Sequence, residues 1–225
     1  MNVLKNISLL TCTFNQHLLT KMMIMSFFKK IDNLIPVIIM DNSTKTFCPD
    51  DLKKQFTVIN NTNFKLTPDY GQVSKNHCAS IEYALKNCIK TKYVLLCDND
   101  ILFKPTIVEL FNEINKFEDF DVIGEIGCDS TPPNRLFPYL NFINVDKLKK
   151  DNISYFNETD MKCKPVGTRL DCIYNDTGST FLHNIKDKWK IRELKMDNYI
   201  VHLRGASYNP FMKIEDWLNK YKEYI

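Results

Sequence analysis

The stretch "KYVLLCDNDILFKP", Lys92 to Pro105, decides how the chain folds. Val94, Leu95, Leu96 and Cys97 run without interruption into Asp98 and Asp100, with Asn99 between the two acids. A continuous apolar run of this length reads as a strand buried on both faces, the kind found in parallel sheets covered by helices. Two like charges at its end repel each other unless something positive sits between them. Side chains two apart on an extended chain point the same way, so Asp98 and Asp100 can approach one site together. Hard divalent cations such as Mn2+ or Mg2+ take carboxylate oxygens and keep waters or ligand phosphates as further partners. A diphosphate, such as the leaving group of a nucleotide sugar, completes such a site. The plainer alternative has Asp98 capping a turn and Asp100 facing solvent, since a bare D-x-D is a short motif.

Outward from this stretch, the N-terminal half alternates strand and helix patterns. "ISLLTCTF" (Ile7–Phe14), "IPVIIMDNS" ending at Asp41 and "QFTVINNT" ending at Asn60 and Asn61 read as three further strands. Leu18, Leu19, Met22, Met23, Ser26 and Phe27 form one face of a helix after the first strand, and "SKNHCASIEYALKNCIK" is a second helix. Alternation of this kind predicts an α/β fold with a mostly parallel central sheet, and ligands in such sheets bind beyond the carboxyl ends of the strands. Each strand here ends in polar groups. After Pro105 come a helix in "TIVELFNEINKF", a strand in "DVIGEIGC", a loop-like "DSTPPNRLFPYLNFINVDKL", a helix in "TGSTFLHNIKDKWK", a strand in "NYIVHLRGAS" and an amphipathic C-terminal helix. Ile214, Trp217, Leu218 and Tyr221 give that last helix an apolar face to pack on the body, while Lys213, Lys220 and Lys222 leave peripheral membrane contact open.

Composition sets the wider bounds. The chain has 225 residues, 44% hydrophobic and 25% charged, with a formal net charge of +3. No linker or repeat divides it, so one domain over residues 1–225 is expected. The lysines are scattered, which argues against nucleic acid as a partner. The eight cysteines form no CxxC, and Cys12, Cys78, Cys88 and Cys97 sit inside apolar periodic runs. They read as reduced thiols of a cytoplasmic protein. No stretch is long and apolar enough for a transmembrane helix, and no signal peptide is expected.

The order and spacing of "ISLLTCTFN", "VIIMDNST", "VINNTNF" and "GQVSKNHCASIEYALKNCIKTKYVLLCDNDILF" resemble a GT-A fold (Rossmann-like) glycosyltransferase of the family 2 type over about residues 5–105. There is also similarity to the small glycosyltransferase domains of large DNA viruses. The resemblance implies a nucleotide-sugar-binding half over about 1–105 and an acceptor-binding half over about 106–225. It implies transfer of a sugar from a nucleotide-diphosphate sugar, by family default a UDP-sugar, to a hydroxyl acceptor such as a glycan. Thr11, Thr13 and Asn15 would hold base and ribose, and Asp41 would supply the acid to them. Lys75, Asn76 and His77 would open the helix before the DxD strand and meet the pyrophosphate at a helix N-terminus. Asp98 and Asn99 would join the nucleotide set, Asp98 and Asp100 would hold Mn2+ or Mg2+, and His202 would add a third metal ligand. Arg204 is an alternative contact to the diphosphate. Inverting transfer needs a carboxylate base, and the resemblance points to Asp176, with Asp171 in reserve. The pattern departs from the family here: Asn175 stands where a Glu is usual, and Asp176 is equally an N-cap candidate. Tyr139, Asn141 and Phe142 would line the acceptor side, Phe142 with core packing as its competing role.

Two other readings compete. A nucleotidyltransferase would show a Gly-rich phosphate loop near the N-terminus, and "TCTFNQH" has no glycine. A non-catalytic module binding a nucleotide sugar or glycan would not require an intact Asp98/Asp100 pair.

Overall fold

The computed structural model describes residues 3–31, 35–43, 48–60, 70–116, 120–127, 135–156, 177–203 and 213–225. The first half builds β1 (Ile7–Thr13), α1 (His17–Phe28), β2 (Val37–Asp41), α2 (Asp50–Gln55), β3 (Thr57–Asn60), α3 (Tyr70–Tyr83) and β4 (Tyr93–Cys97). The second half adds β5 (Ile101–Phe103), α4 (Ile107–Lys116), β6 (Val122–Gly124), β7 (Ile126–Gly127), β8 (Arg135–Leu136), β9 (Asn141–Asn144), α5 (Val145–Lys150), α6 (Ser179–Ile185), β10 (Ile191–Glu193), β11 (Ile200–His202) and α7 (Ile214–Lys220).

Seven strands form the central sheet in the order β10-β6-β9-β4-β1-β2-β3. Pairing is parallel from β4 through β3 and between β10 and β6, while β9 runs antiparallel to both β4 and β6. The chain moves from β1 outward to β2 and β3, then returns to place β4 on the other side of β1. The sheet's topological switch point therefore lies between β1 and β4, where a crevice opens beyond the strand ends.

All seven residues of β1 and all five of β2 and of β4 are buried. Their alternation divides the core into two layers. Ile7, Leu9, Leu95 and Cys97 face α1 and α4, meeting Met23, Ile24, Phe27, Leu110, Phe111 and Ile114. Leu10, Cys12, Val94 and Leu96 face the other side, meeting α3, α5 and α6 through Ile81, Leu148 and Phe181, and Leu85 just beyond α3. Phe27 anchors the first layer edge-on to Phe103, with ring centroids 5.0 Å apart. Ser26 ties the same helix to β5: its hydroxyl donates to the Met23 carbonyl at 2.7 Å and accepts from the Phe103 N–H at 3.0 Å.

Several elements differ from the sequence reading. The buried face of α1 is His17, Leu19, Thr20, Met23, Ile24, Ser26 and Phe27, and Leu18 is exposed. The helix is covered on two sides, by the sheet and by a satellite cluster in which Leu19 meets Leu102, Leu203 and Trp217. One periodic stripe cannot represent two covered sides. The short helix α2, with only Leu52 buried, leaves almost no apolar pattern to read. The segment read as a Pro-rich loop contains β9, whose residues Asn141, Phe142 and Ile143 are buried in the central sheet. Phe142 thus packs in the core, edge-on to Phe111. The apolar face of α7 lies against the body through Trp217, so its lysines rather than its apolar side point outward. Among the described residues no helix is long and apolar enough to cross a membrane.

Replacing Ser26 with alanine leaves the Phe103 N–H without its acceptor in a dry site, which costs about 1–3 kcal/mol. Urea denaturation should show that loss for Ser26→Ala, against roughly 0.5 kcal/mol or less for the exposed Met25→Ala.

Candidate active site

The carboxyl ends of β1, β2 and β4 converge at the switch point. β4 stops at Cys97, and Asn99 and Asp100 form a tight turn before β5. The acids are thus brought together by a turn rather than by the extended chain that the spacing suggested. Asn99 holds the turn: its buried amide donates to Thr20 Oγ1 at 3.2 Å and to Thr13 Oγ1 at 3.4 Å. It points into the protein, and Thr13 is occupied with it. Thr11 is fully buried mid-strand, between Ile39 and Cys97.

His202 arrives from far along the chain. β11 pairs antiparallel with β5, opposing His202 to Ile101, and the Leu203 N–H donates to the Asp100 carbonyl at 2.8 Å. That register places His202 Nε2 3.2 Å from Asp100 Oδ1. The imidazole also lies against the Tyr139 ring, centroids 4.7 Å apart, and Tyr139 stacks on Phe137 at 4.9 Å. On the other flank, His77 Nε2 is 3.7 Å from Asp98 Oδ1. One ligand atom from each of Asp98, Asp100 and His202 lies within 4.8 Å of the other two. Bonds of about 2.1 Å put neighbouring ligands of an octahedral ion about 3 Å apart, close to the His202–Asp100 separation. Asp98 Oδ1 is out of water with no hydrogen-bond partner among the described residues. An orphaned buried carboxylate oxygen beside a second carboxylate and an imidazole fits a divalent cation.

Burial holds the Asp98 carboxyl above the ordinary range. The His77 imidazole opposes this, Asp100 adds to it, and His202 and Arg135 oppose it from farther off. Positive charge beside the two acids would favour their ionised form.

Helix α3 begins at Tyr70, so Lys75, Asn76 and His77 lie past its first turn rather than at its start. The helix N-terminus is not available to these three as an anion site. Residues two apart on a helix lie on different sides of it, so the turn that brings His77 to Asp98 sets Lys75 apart from it. Asn76 is buried, and its Nδ2 has no acceptor among the described residues. Its carbonyl accepts from Ser80 Oγ, which also donates to Asn42 Oδ1 at 2.9 Å.

At the end of β2, Asp41 is buried and accepts on both oxygens. The Ser43 N–H donates to Oδ1 at 3.0 Å, and His17 Nε2 lies 3.2 Å from Oδ2. Asn15 sits at φ 55°, and its N–H donates to Ser43 Oγ at 2.8 Å. The sequence reading passed over His17, Ser43 and Cys48. His17 as first residue of α1, directly after a polar strand end, was the available signal. Asp171, Asp176 and Arg204 lie outside the described residues. Two residues beyond Asp176, Gly178 is at φ +89°, where a Cβ would fall 2.0 Å from the Leu136 carbonyl oxygen.

No family model matches the chain, and no curated protein does. Solved structures do. The chain is similar to residues 1–349 of S. aureus TarS in complex with UDP-GlcNAc, at TM-score 0.59 and 14% identity, covering 97% of this chain and 65% of that one. It is similar to the mannosyltransferase PcManGT of Pyrobaculum calidifontis in complex with GDP-Man and Mn2+, at TM-score 0.54 and 11% identity, covering 84% and 54%. It is also similar to the glycosyltransferase GlyE of Streptococcus pneumoniae TIGR4, at TM-score 0.54 and 11% identity, covering 97% and 50%. This chain spans 50–65% of the length of these three structures. At such identities the likeness establishes the fold, GT-A, with a mostly parallel sheet flanked by helices.

Asp98→Asn removes one of two crowded acids. Because the folded state holds the Asp98 proton more tightly than the unfolded chain does, ionisation at neutral pH costs stability, and the loss grows as pH rises above the ordinary carboxylate range. In EDTA at pH 7 the variant should melt higher than wild type, by roughly 2–4 °C for each kcal/mol recovered. The gap should narrow as pH falls toward about 4, as read by differential scanning calorimetry.

Proposed function

We propose that the chain is a metal-dependent glycosyltransferase that moves a sugar from a nucleotide-diphosphate sugar, by preference a UDP-sugar, to a hydroxyl acceptor such as a glycan. The observation that carries this reading is the meeting of Asp98, Asp100 and His202 at the switch point of a GT-A sheet. That place, in an open sheet, is where a nucleotide is bound. The glycosyltransferase neighbours, one of them with GDP-Man and Mn2+ bound, support it.

Asp98, Asp100 and His202 would hold Mn2+ or Mg2+, which supplies positive charge to the leaving diphosphate. His77, beside Asp98, adds donor capacity on the same flank, and the unpartnered Asn76 amide offers a hydrogen bond to the ribose or phosphate. Asp41, with Asn15 beside it, serves the nucleoside at the end of β2. Tyr139, packed between Phe137 and His202, would connect the acceptor side to the metal ligand. Arg204 follows β11 and would reach the diphosphate. In an inverting transfer, Asp176 takes the acceptor hydroxyl proton, and that oxygen attacks the anomeric carbon opposite the departing diphosphate, with Asp171 the reserve base. Residues 1–105 would then serve the donor and residues 106–225 the acceptor. The five free cysteines of the described chain suit the cytoplasm, whether of a cell or of a virus's host.

The test is thermal stability in Mn2+ with UDP, GDP, CMP and dTDP in turn. One nucleotide should stabilise the wild type, by about 2.7 kcal/mol at a hundredfold excess over its dissociation constant, and Asp100→Ala should abolish the shift. No shift with any of the four would move the reading to a module that binds no nucleotide. With a donor identified, Asp176→Asn should keep the nucleotide shift and lower kcat by about 10²–10⁴-fold.

A further inference from the structure

A second cluster of metal-ligating side chains lies at the end of β2. His17, Asp41 and Cys48 are all buried, and one ligand atom from each lies within 4.8 Å of the other two. We propose that these three residues form a second metal centre for a thiophilic divalent ion, Zn2+ by chemistry, distinct from the oxygen-rich site at Asp98 and Asp100.

The donor set decides the ion. Nitrogen, carboxylate oxygen and sulfur together suit Zn2+, whereas Mg2+ and Mn2+ prefer oxygen. Three protein ligands leave a fourth tetrahedral position open. Bonds of about 2.0–2.1 Å set the nitrogen and oxygen ligands of a tetrahedral ion about 3.3 Å apart, and His17 Nε2 stands 3.2 Å from Asp41 Oδ2. A surrounding shell is already built. The Ser43 N–H fixes Asp41 Oδ1 and so turns Oδ2 toward His17, while Ser43 Oγ, 3.3 Å from the same His17 nitrogen, is a contact that a bound ion would displace. Asn15 in turn fixes Ser43 through a 2.8 Å bond. Shells of this kind orient metal ligands.

Charge and protons balance. Binding releases the Cys48 thiol proton to solvent, and thiolate and carboxylate together cancel the ion's two positive charges, with His17 neutral. Burial and the neighbouring Asp41 hold the free Cys48 thiol above its ordinary range, so without an ion it is a poor nucleophile. On the reading of Asp41 as the nucleoside contact, the ion and the nucleoside would compete for one carboxylate, and the centre would be inhibitory.

The test is a titration of reduced, EDTA-stripped protein with Co2+ in the absence of oxygen and of nucleotide. A sulfur-to-cobalt charge-transfer band should grow to saturation at one ion per chain and vanish when Zn2+ is added. Cys48→Ser should lose the band, and Asp100→Asn should keep it. His17→Gln, which keeps all the thiols, should change the ligand-field bands even if Cys48→Ser does not fold. No band in the wild type overturns the proposal. So does a band that survives Cys48→Ser, which assigns it to another cysteine, or one that Asp100→Asn abolishes. Because no nucleotide is present, failure here leaves the donor reading untouched, and failure of donor binding leaves this centre standing.

Discussion

Every side chain of β4 is shut off from water, and the rest of the molecule is arranged around covering them. A strand buried on both faces needs a layer of helices above and below and a strand on either edge. The first half supplies β1 on one edge, α1 on one face and α3 on the other. The remaining face and edge are covered by α4, β9, α5 and α6, which come later in the chain. Beyond the carboxyl end of β4 the chain turns at Asn99 and Asp100. There the dry strand has to pass into water, and the residues at that passage are the acids.

The charges at that passage are flanked rather than neutralised. An imidazole stands on each side, His77 toward Asp98 and His202 toward Asp100, carried on opposite halves of the chain. Imidazole can accept or donate and can be neutral or charged, so it accommodates both a bare pair of carboxylates and a pair already holding a cation. A lysine or arginine in the same place would close a permanent salt bridge and compete with any ion. The second cluster repeats the arrangement two strands along the sheet, at the end of β2, with His17 against Asp41. Both times an acid ends a buried strand and a histidine from another element meets it.

Much of the fold could be read from residues 5–105 because each strand there is a continuous apolar run and each turn out of it is polar. β1, β2, β3 and β4 fall where the runs place them. The site's two acids and His202 were legible as residue types, and so was Asp41. Their grouping at one site was legible only through the family resemblance, because the β11–β5 pairing that brings His202 to Asp100 joins residues far apart in the chain. The α3 start was misplaced because Tyr70, Gly71 and Gln72 carry no helix-initiating signal, and with it went the placing of Lys75 to His77 at a helix N-terminus. Thr11, Thr13 and Asn99 have the polar chemistry of ligand contacts, and all three are buried, with the Asn99 amide donating to Thr13 and Thr20. β9 was hidden because "FPYLNFINV" has the aromatic and amide composition of a binding loop. The amide Asn141 is completely buried, donating to the Phe137 carbonyl at 2.6 Å.

The antiparallel strand β9 also bears on how such a chain can be cut, joined or evolved. It lies between β4 and β6, pairing with Tyr93–Leu96 on one side and Val122–Ile123 on the other. A fragment ending near residue 105 would hold four well-patterned strands and both acids, yet it would expose β4 as a fully apolar, unpaired edge. Such an edge recruits another copy of itself. The position near residue 105 is therefore not a boundary of folding. The second half could not be exchanged for another unless the newcomer brought its own strand to fill the same slot.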